Sequence, residues 1–446
     1  MCDALVALGE TTRDGSVIFA KNSDRPAGEC QVLHSAPAAQ HRSGEVIQCT
    51  YLRVPEEERS LATVGCRPYW CWGYETGVNE AGVVGGNTAI FTKSIHLLDN
   101  RQELGLTGMD LLRLALARSE SAESATETII DLLEQHGQWG SAIVGRDHES
   151  GSYENAFLLA DRNEAWVLET SGRRWISRRI EKGFYALSNQ PTIRDKWTNI
   201  CADMFDFASD NVWWQPDREA FDFAQLLGDH EHYSRQVSHL RWQRSQSLLK
   251  RSVGAIDAST MMSIMRDHYE DSFLQGPQFN RFLPDFHTIC MHDSPSGFTW
   301  GNTATSLIVE LPRDGGTPLL WAAYQPPCAS IYFSFSLTDS LPEMLLRTGT
   351  AGLVTHPPED APPDAFDPSS LWWRLYRVIG AISDNPINRY KEASSLFESV
   401  ERENLHRIET HRAAHRPVLD KKEAIDVQLA QIIDAIETLE HKWKLV

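Results

Sequence analysis

The sequence lacks a long uncharged apolar run, an excess of basic residues and a dense pattern of cysteines. No stretch is apolar enough to span a bilayer, and the start has no basic segment followed by an apolar run, so we expect no secretory signal. A net charge of −19 argues against nucleic acid or an anionic membrane surface as a partner. Eight cysteines in 446 residues, without a secretion signal, are not a disulfide framework. These absences favour a cytoplasmic enzyme.

The most informative residue that is present is Cys2, which directly follows Met1. An initiator methionine before so small a side chain is normally removed, which would leave a thiol and a free α-amino group on one residue. The amine has a reference pKa of about 7.7–8.0 and the thiol one of about 8.5, so the neutral amine can act as the base for the thiol. The pattern predicts an N-terminal nucleophile, and the alternative is a cysteine at this position by accident.

A β-hairpin is predicted directly after Cys2. Two apolar runs, Ala4 to Leu8 and Val17 to Ala20, flank an Asp-Gly reversal at Asp14. The second strand returns a polar cluster to the side of Cys2, and such charges are costly to bury unless they are paired. The cluster therefore indicates a site, with a solvated strand end as the alternative. Its members are Lys21, Asn22, Ser23 and Asp24.

Several blocks of sequence carry a family resemblance. They are FAKNSDRP at 19–26, RPYWCWGYETGVNEAGVVGGNTAIFTK at 67–93, GMDLLRLALAR at 108–118, ENAFLLADRNEAWVLETSGRRW at 154–175, ALSNQPTI at 186–193 and TICMHD at 288–293. In this order they resemble the secernins, within the dipeptidase-A-like cysteine N-terminal-nucleophile (Ntn) hydrolases, near penicillin V acylase and bile salt hydrolase. The resemblance runs through most of residues 1–340. It implies an αββα sandwich and hydrolysis of a peptide or amide bond.

The resemblance also implies roles for three residues near the start of the chain. Cys2 is the expected nucleophile, with its own α-amino group as the general base, and Asp24 matches an aspartate that holds this amine. Lys21 stands where the related acylases carry an arginine beside the thiol. Because an ammonium lacks the planar fork of a guanidinium, a bidentate role is not expected for Lys21.

Three later residues complete the implied site. Asn87 and Asn189 match asparagines whose amides stabilise the oxyanion, and removing one such donor typically costs about 3 kcal/mol. Taken alone, either asparagine is equally typical of a turn. Arg241 is the best match for an arginine that orders the site, with Arg235 as the alternative register. Secernins usually carry glutamate where this chain has Thr88, so the reading of a charged substrate end is expected to differ.

No cofactor or metal is predicted. His287, Cys290 and His292 form the best metal candidate, because Cys290 and His292 would share one face of a strand. A structural zinc site usually needs four ligands and no fourth is visible nearby, so we interpret the group as packing and hydrogen bonding behind the active site.

An aromatic run could line a substrate pocket or belong to the core. Alternation places three of its members on one strand face, and the two interpretations are equally supported by that periodicity. The three are Trp70, Trp72 and Tyr74.

Strands, then helices, then strands again predict an α+β fold. The predicted helices are 108–118, 121–135, 221–227, 241–251 and 259–268, and the predicted strands after the hairpins are 156–160, 165–169, 175–180, 305–311, 319–323 and 330–335. This order suits the four-layer αββα Ntn-hydrolase sandwich that the resemblance also implies.

The chain is expected to divide into a catalytic domain at 1–340, a proline-rich linker at 341–370 and a C-terminal helical extension at 371–446. Two long helices are predicted in the extension, at about 388–415 and 421–442. The second carries an apolar stripe that we expect to dock on its own domain, with dimerisation as the alternative. The stripe consists of Ile425, Leu429, Ile432, Ile433, Ile436 and Leu439.

The sequence therefore predicts a cysteine amidohydrolase or dipeptidase that acts through an acyl-enzyme on a small peptide or amide. Two alternatives stay open. One is an acylase on N-acyl amides of the penicillin or bile salt type, and the other is a secernin-like regulatory protein without turnover. Neither nucleic acid nor membrane is an expected partner, and a homo-oligomer is left open.

Overall fold

The computed structural model describes residues 1–97, 101, 103–277, 279–299, 301–413 and 421–445. Its strands are β1 Cys2–Ala7, β2 Val17–Pro26, β3 Gln31–Ala36, β4 Ala39–Gln40, β5 Val46–Gln48, β6 Arg53–Pro55, β7 Arg59–Ser60, β8 Thr63–Pro68, β9 Thr76–Asn79, β10 Val84–Ile90, β11 Glu154–Ala160, β12 Ala165–Ser171, β13 Arg174–Ile180, β14 Phe184–Leu187, β15 Asn199–Ile200, β16 Gly301–Leu311, β17 Leu319–Tyr324 and β18 Phe333–Ser336. Its helices are α1 Gly108–Arg118, α2 Ala122–His136, α3 His148–Gly151, α4 Met204–Asp210, α5 Phe223–Leu227, α6 Arg235–Arg251, α7 Ala258–Met265, α8 Glu343–Leu346, α9 Leu371–Asp384, α10 Pro386–Ala413 and α11 Lys421–Trp443.

The strands form two large antiparallel sheets. The first has the order β14-β1-β2-β16-β17-β18, and the second has the order β15-β13-β12-β11-β10-β9-β8-β3. Two further pairs, β4 with β7 and β5 with β6, stand apart from them. The predicted hairpin is β1 and β2, and its register pairs Cys2 with Ser23. The chain start therefore lies inside the first sheet, on the strand next to the edge strand β14.

Helices cover the outer face of each sheet, which gives four layers. Helices α1 and α2 pack on the second sheet, and α6 and α7 pack on the first. Three buried cores separate these layers: one between the sheets, one under α1 and α2 that includes Leu112 and Leu168, and one under α6 and α7 that includes Ile18 and Met261. The predicted αββα architecture is confirmed. Within the described residues, no helix is both long and apolar enough to cross a bilayer.

Local sequence explains why α1 begins at Gly108. Thr107 accepts a hydrogen bond from the Asp110 amide (3.1 Å), and Asp110 accepts one from the Thr107 amide (3.2 Å). This reciprocal capping box satisfies two amides that the first helical turn leaves without partners. Asp110 also accepts from the Thr50 hydroxyl (2.9 Å), which ties the helix start to the loop before β6.

Trp70, Trp72 and Tyr74 belong to the core and are not among the residues that line the cavity at Cys2. Residues 69–74 form turns in place of the expected strand, so the alternation that we assumed does not apply. Trp70 enters the core between the sheets, whereas Trp72 and Tyr74 enter the core under α1. Helix α6 likewise differs from its prediction, because it begins at Arg235, where Ser234 caps it through the Gln236 amide.

The segment 341–370 packs on the rest of the chain. The amides of Val354 and His356 donate to the main-chain oxygens of Tyr69 (2.8 Å) and Trp70 (3.0 Å). A helix that the sequence patterns did not predict, α9, follows this segment and packs with α10 and α11. The apolar stripe of α11 docks on its own chain, with Ile432 and Ile436 fully buried.

The outermost strand of the first sheet, β18, is covered by a side chain from α11. Gln428 accepts a hydrogen bond from the Ser334 amide (3.0 Å) and donates one to the Ser334 carbonyl (3.1 Å). One amide side chain thus satisfies both main-chain groups that an edge residue leaves open.

Candidate active site

The register of the hairpin places Cys2 in a line of polar side chains. Cys2 pairs with Ser23 and Ala4 pairs with Lys21, so strand alternation sends Cys2, Lys21 and Arg25 to the same face, which packs on the second sheet. The Cys2 side chain is buried. Lys21 fits between the sheets because β10 carries Gly86 opposite it. A Cβ on that glycine would lie 2.6 Å from the Lys21 Cδ.

Glu75 is the centre of this buried line. Its Oε2 accepts from Lys21 Nζ at 2.8 Å and lies 3.8 Å from the Cys2 Sγ, while its Oε1 accepts from Arg25 Nη1 at 3.2 Å. Lys21 also donates to the Ser23 hydroxyl at 2.8 Å. Arg25 in turn forms an ion pair with Glu29. The thiol therefore faces a carboxylate held between two cations.

Charge pairing decides the protonation of this group. Burial raises the pKa of Glu75, but Lys21 and Arg25 outweigh burial and hold the pKa below its usual value. Burial lowers the pKa of Lys21, yet the charge that Cys2 carries when its thiol is ionised and the charge of Glu75 leave this pKa raised. Burial raises the pKa of the Cys2 thiol, against the lowering influence of Lys21. At neutral pH the ion pair is charged and the thiol keeps its proton.

The opposite face of β1 carries a second buried ion pair. Asp3 and Arg241 are both fully buried and bonded to each other. Arg241, on α6, also donates to the Cys2 carbonyl (3.2 Å) and to Asn189 Oδ1 (2.7 Å). Of the two predicted registers, Arg241 is the arginine brought to Cys2. The side chain of Arg235 lies outside the described residues.

Asn189 holds the main-chain nitrogen of Cys2. Its Oδ1 accepts from Cys2 N at 2.9 Å, and its Nδ2 donates to the Ala89 carbonyl at 2.8 Å. Two donors on Oδ1 and one acceptor on Nδ2 fix the orientation of this amide. The predicted oxyanion donor thus lies at the site, with its amide nitrogen directed at Ala89.

Asp24 lies beside the start of the chain. Its amide donates to the Met1 carbonyl (2.8 Å), and the Met1 amine donates to its carbonyl (3.1 Å). One carboxylate oxygen accepts from Thr303 Oγ1 at 2.8 Å, whereas Oδ2 has no partner among the described residues. Burial, opposed by the chain-terminal amine and Arg241, raises the pKa of Asp24 to about 6.

Asn87 contacts Glu75 and lies outside the cavity wall. Its amide lies 3.0 Å from Asn155 Oδ1, and in the other amide orientation its nitrogen is 3.2 Å from the Glu75 carbonyl and 3.3 Å from Glu75 Oε2. The neighbouring Thr88 donates to the Ser188 carbonyl at 3.1 Å. Asn87 therefore reaches the thiol only through Glu75.

A cavity of about 320 Å³ opens onto Cys2. This volume is at the low end of the roughly 300–1,000 Å³ that small-molecule sites occupy. One part of the wall is apolar, and Phe91 stacks on Tyr233 there with ring centroids 3.7 Å apart. The polar part includes Asp229, which is bonded to His96 (2.7 Å) and His232 (3.0 Å). The apolar wall residues are Ala89, Phe91, Ile143, Tyr153, Pro191, Tyr233, Val237 and Phe298.

Sequence reasoning missed Glu75, although a signal was present. Lys21 and Arg25 lie four residues apart on one strand and therefore share a face, and two cations on a buried face require an acidic partner. Glu75 and Glu80 are the acidic residues of the block at 67–93 that carries part of the family resemblance.

Two groups of side chains in the described residues have metal-ligating chemistry. The first consists of His96, Asp229 and His232, of which Asp229 lines the cavity. The second consists of His268, Cys290, His292 and Cys328. His287 is not part of either group, since it lines the cavity and packs on Phe298. The sequence interpretation, which joined His287 to Cys290 and His292, was wrong in this respect.

Residues 1–270 match the model of peptidase family C69, and the chain belongs to that family. This confirms the predicted resemblance at the level of the family. A probable dipeptidase of Salmonella dublin is 26% identical over 246 residues, 50% of this chain and 52% of that protein. A dipeptidase of Bifidobacterium longum (strain NCC 2705) is 26% identical over 212 residues, 42% of this chain and 37% of that protein. The matches thus span about half or less of these relatives.

Solved structures with a similar fold are more distant in sequence. A mutant conjugated bile acid hydrolase from Clostridium perfringens is 13% identical with a TM-score of 0.39, over 73% of this chain and 89% of that one. An N-acylethanolamine-hydrolyzing acid amidase ortholog from Caenorhabditis elegans is 10% identical with a TM-score of 0.34, over 70% and 93%.

Proposed function

We propose that the chain is a cysteine amidohydrolase that cleaves a small peptide bond, with Cys2 as the nucleophile once Met1 is removed. The observation that carries the proposal is the placement of Cys2 at a small cavity, with its nitrogen bonded to Asn189 and its sulfur beside the Lys21–Glu75 pair. Family C69 and the dipeptidases among the relatives support the reaction class.

The base in this proposal is the α-amino group of Cys2. Glu75 is close to the sulfur, but its lowered pKa makes it a poor proton acceptor, and Lys21 is protonated. A free amine has a pKa of about 7.7–8.0, near the working pH that suits a general base. Removal of Met1 creates this amine at the atom that Asn189 already holds, and Asp24 Oδ2, which has no partner among the described residues, would supply a second acceptor for it.

Each half of the reaction balances through two proton transfers. The amine takes the thiol proton, the sulfur attacks the carbonyl carbon, and the protonated amine gives its proton to the leaving nitrogen as the C–N bond breaks. The amine then takes a proton from water, the resulting hydroxide attacks the thioester carbon, and the protonated amine returns its proton to the sulfur as the C–S bond breaks. Lys21 and Glu75 act here as a fixed charge pair that tunes the thiol.

The oxyanion roles predicted for Asn87 and Asn189 remain proposals. Both amide nitrogens have protein contacts, so each would have to exchange that contact for the substrate oxygen on binding. The contacts favour positioning roles, with Asn189 orienting the amine and Asn87 orienting Glu75. Arg241 joins Asn189, Asp3 and the Cys2 carbonyl, and we propose that it orders all three.

A dipeptide fits the cavity better than an uncharged N-acyl amide. Asp229 lines the cavity, and although burial raises its pKa, the bonds from His96 and His232 lower the pKa below its usual value. This carboxylate is suited to meet the ammonium group of a substrate. The apolar wall at Phe91 and Phe298 supports the second candidate, an acylase acting on N-acyl amides.

The first test combines intact mass, an electrophilic thiol label and a substrate panel. We expect loss of Met1, label on Cys2 alone, and turnover of dipeptides that falls by at least about 10⁴-fold in Cys2→Ala, since nucleophile removal abolishes the covalent route. Cys201→Ala, which removes another buried thiol, is the matched control. A retained Met1 or an unlabelled Cys2 would favour the alternative without turnover.

The second test separates the two substrate classes. Asp229→Asn should raise KM for dipeptides while leaving N-acetylated dipeptides unaffected, because only the former carry the ammonium group. Equal effects on both classes would contradict the assignment to dipeptides.

We also propose a reducing compartment such as the cytoplasm. All eight cysteines are free thiols in the structure, and oxidising compartments favour disulfides. Fractionation of the native host, followed by blotting, tests this.

A further inference from the structure

Behind the strand that carries Asp24, four side chains converge in a buried cluster. Their ligand atoms all lie within 4.8 Å of one another. They come from three separate segments: the residues after α7, the residues before β16 and the short turn Pro327–Ala329. The cluster consists of His268, Cys290, His292 and Cys328, and all four are buried.

The spacing within the cluster matches a tetrahedron. His268 Nε2 and His292 Nε2 are 3.2 Å apart, and His292 Nε2 lies 3.2 Å from Cys328 Sγ and 3.7 Å from Cys290 Sγ. Around zinc, with bonds of about 2.0–2.1 Å to nitrogen and 2.3 Å to sulfur, tetrahedral edges are about 3.4 Å between nitrogens and 3.6 Å from nitrogen to sulfur. The four atoms therefore already surround a space of the right size.

Hydrogen bonds alone do not account for this arrangement. His292 Nε2 has three close neighbours, yet a ring nitrogen carries either one hydrogen or one lone pair. It can satisfy only one of them well. A cation at the centre would satisfy the two nitrogens and the two sulfurs together.

A carboxylate orients one of the histidines from outside. His268 Nδ1 lies 3.1 Å from Glu270 Oε1, which also accepts from Arg281 Nε at 2.6 Å. This leaves Nε2 directed at the cluster. Ligand histidines in metal sites commonly bond a carboxylate through the other ring nitrogen, which fixes the tautomer and the ring orientation.

We propose that His268, Cys290, His292 and Cys328 bind one zinc ion as a closed structural site. Four protein ligands leave no position for substrate, so the ion is structural and takes no part in hydrolysis. No fourth ligand is visible near Cys290 in the sequence, because His268 and Cys328 lie far from it in the chain and meet it only in the fold.

The site would support the catalytic side of β2. Met291 lies between two of the ligands, and its amide donates to Thr303 Oγ1 at 3.0 Å. The same hydroxyl donates to Asp24 Oδ1 at 2.8 Å. The zinc would thus fix the segment that positions Thr303 against Asp24.

The test is metal content and cobalt substitution on the full chain with any affinity tag removed. We expect one zinc per chain as purified and, after chelation, one equivalent of Co²⁺ with tetrahedral d–d bands and sulfur-to-cobalt charge transfer. The double variant Cys290→Ser/Cys328→Ser should lose the charge-transfer band. Cys30→Ser/Cys201→Ser, which changes two buried cysteines outside the cluster, should keep it.

A second measurement does not depend on the folding of a variant. Zinc added to the metal-free wild-type chain should slow alkylation of Cys290 and Cys328 at least tenfold and leave Cys201 unchanged. Absence of bound metal, octahedral cobalt, a band that persists in the double variant, alkylation that zinc leaves unchanged, or a Cys290–Cys328 disulfide in freshly prepared protein would each overturn the proposal.

Discussion

Glu75 and Asp24, two carboxylates close to Cys2, are both buried, but they differ in how completely they are paired. Glu75 has a partner on each oxygen, Lys21 on one and Arg25 on the other. Asp24 has Thr303 on one oxygen and no partner among the described residues on the other. Burial raises the pKa of Glu75, but Lys21 and Arg25 outweigh burial and leave this pKa lowered. At Asp24 burial dominates and raises the pKa to about 6.

This difference shows which carboxylate already has its partners in the chain that still carries Met1. The Glu75 side is a completed charge network that needs no further partner. On the Asp24 side, Oδ2 has no partner among the described residues, and under our proposal the α-amine that removal of Met1 creates would take this place. Four variants test this contrast, beginning with the largest expected effect on the free energy of unfolding.

Glu75→Gln should have the largest effect. It leaves Lys21 and Arg25 buried with one fewer negative charge, and breaking a buried pair in this way costs about 3–5 kcal/mol. Denaturant unfolding should show this loss, and activity should fall at least about 10²-fold through the thiol. Glu29→Gln removes the other partner of Arg25 without touching Lys21 or Cys2. It should lose stability but keep activity within tenfold, and equal activity loss in both would refute a specific role for Glu75.

Arg241→Lys should come next. Lysine keeps the charge but not the fork that joins Asp3, Asn189 and the Cys2 carbonyl, so we expect a loss of about 2–3 kcal/mol and a fall in kcat of about 10–100-fold. Arg244→Lys, on the same helix, changes the pair with Asp267 away from Cys2. Its kcat should stay near that of the wild type. A kcat in Arg241→Lys as high as in this control would contradict the positioning role.

In the chain that retains Met1, Asp24→Asn should act in the opposite direction on stability. The folded-state pKa of about 6 exceeds the ordinary 3.8, so the folded state binds this proton more tightly. Stability from the group is present below 3.8 and is lost as the pH rises through about 6. The variant lacks this titration. Its free energy of unfolding, relative to that of the wild type, should therefore be higher at pH 8 than at pH 4 by on the order of 2 kcal/mol.

The activity of Asp24→Asn should nevertheless collapse, because the amine loses its carboxylate. Thermal melts of the chain that retains Met1, from pH 4 to 8, measure the stability effect, and Asp217→Asn, at an exposed position, serves as the control. A variant that is both active and unchanged in its pH profile would contradict the contrast.

Ser23→Ala should have the smallest effect. It removes one acceptor from Lys21, which keeps Glu75, so about 1 kcal/mol is expected with activity reduced only a few-fold. Urea unfolding and kcat/KM measure the two effects. A loss of stability as large as that of Glu75→Gln would show that Glu75 alone does not satisfy Lys21.

Sequence patterns predicted the parts of the fold that depend on neighbours along the chain. The β1–β2 hairpin, the capping box of α1 and the strands β11 to β13 follow from turn residues, caps and periodicity. The start of α6 and the whole of α9 were not predicted. Both depend on tertiary packing, since α6 is mostly polar and α9 follows a proline-rich segment that itself contacts the core.

The same division holds for the site. The family blocks and the strand register brought Cys2, Lys21, Asp24, Asn189 and Arg241 into consideration, and the structure places them together around the start of β1. The partner of Lys21 was missed because Glu75 lies on a turn between β8 and β9, where no periodicity marks it. Lys21 and Arg25 on one strand face indicated only that some acidic partner was needed. The direction of the asparagine amides also depends on contacts, such as that of Asn189 with Ala89, which spacing cannot supply.

The contact between Gln428 and Ser334 bears on how the chain behaves when its C-terminal helix is lost. Without that amide, β18 presents unpaired N–H and C=O groups, and such an edge is a template for another strand. Proteolysis before α11 would therefore expose β18 and let chains self-associate along it, although the cavity and Cys2 would be unchanged. Helix α11 thus limits self-association at a site remote from Cys2.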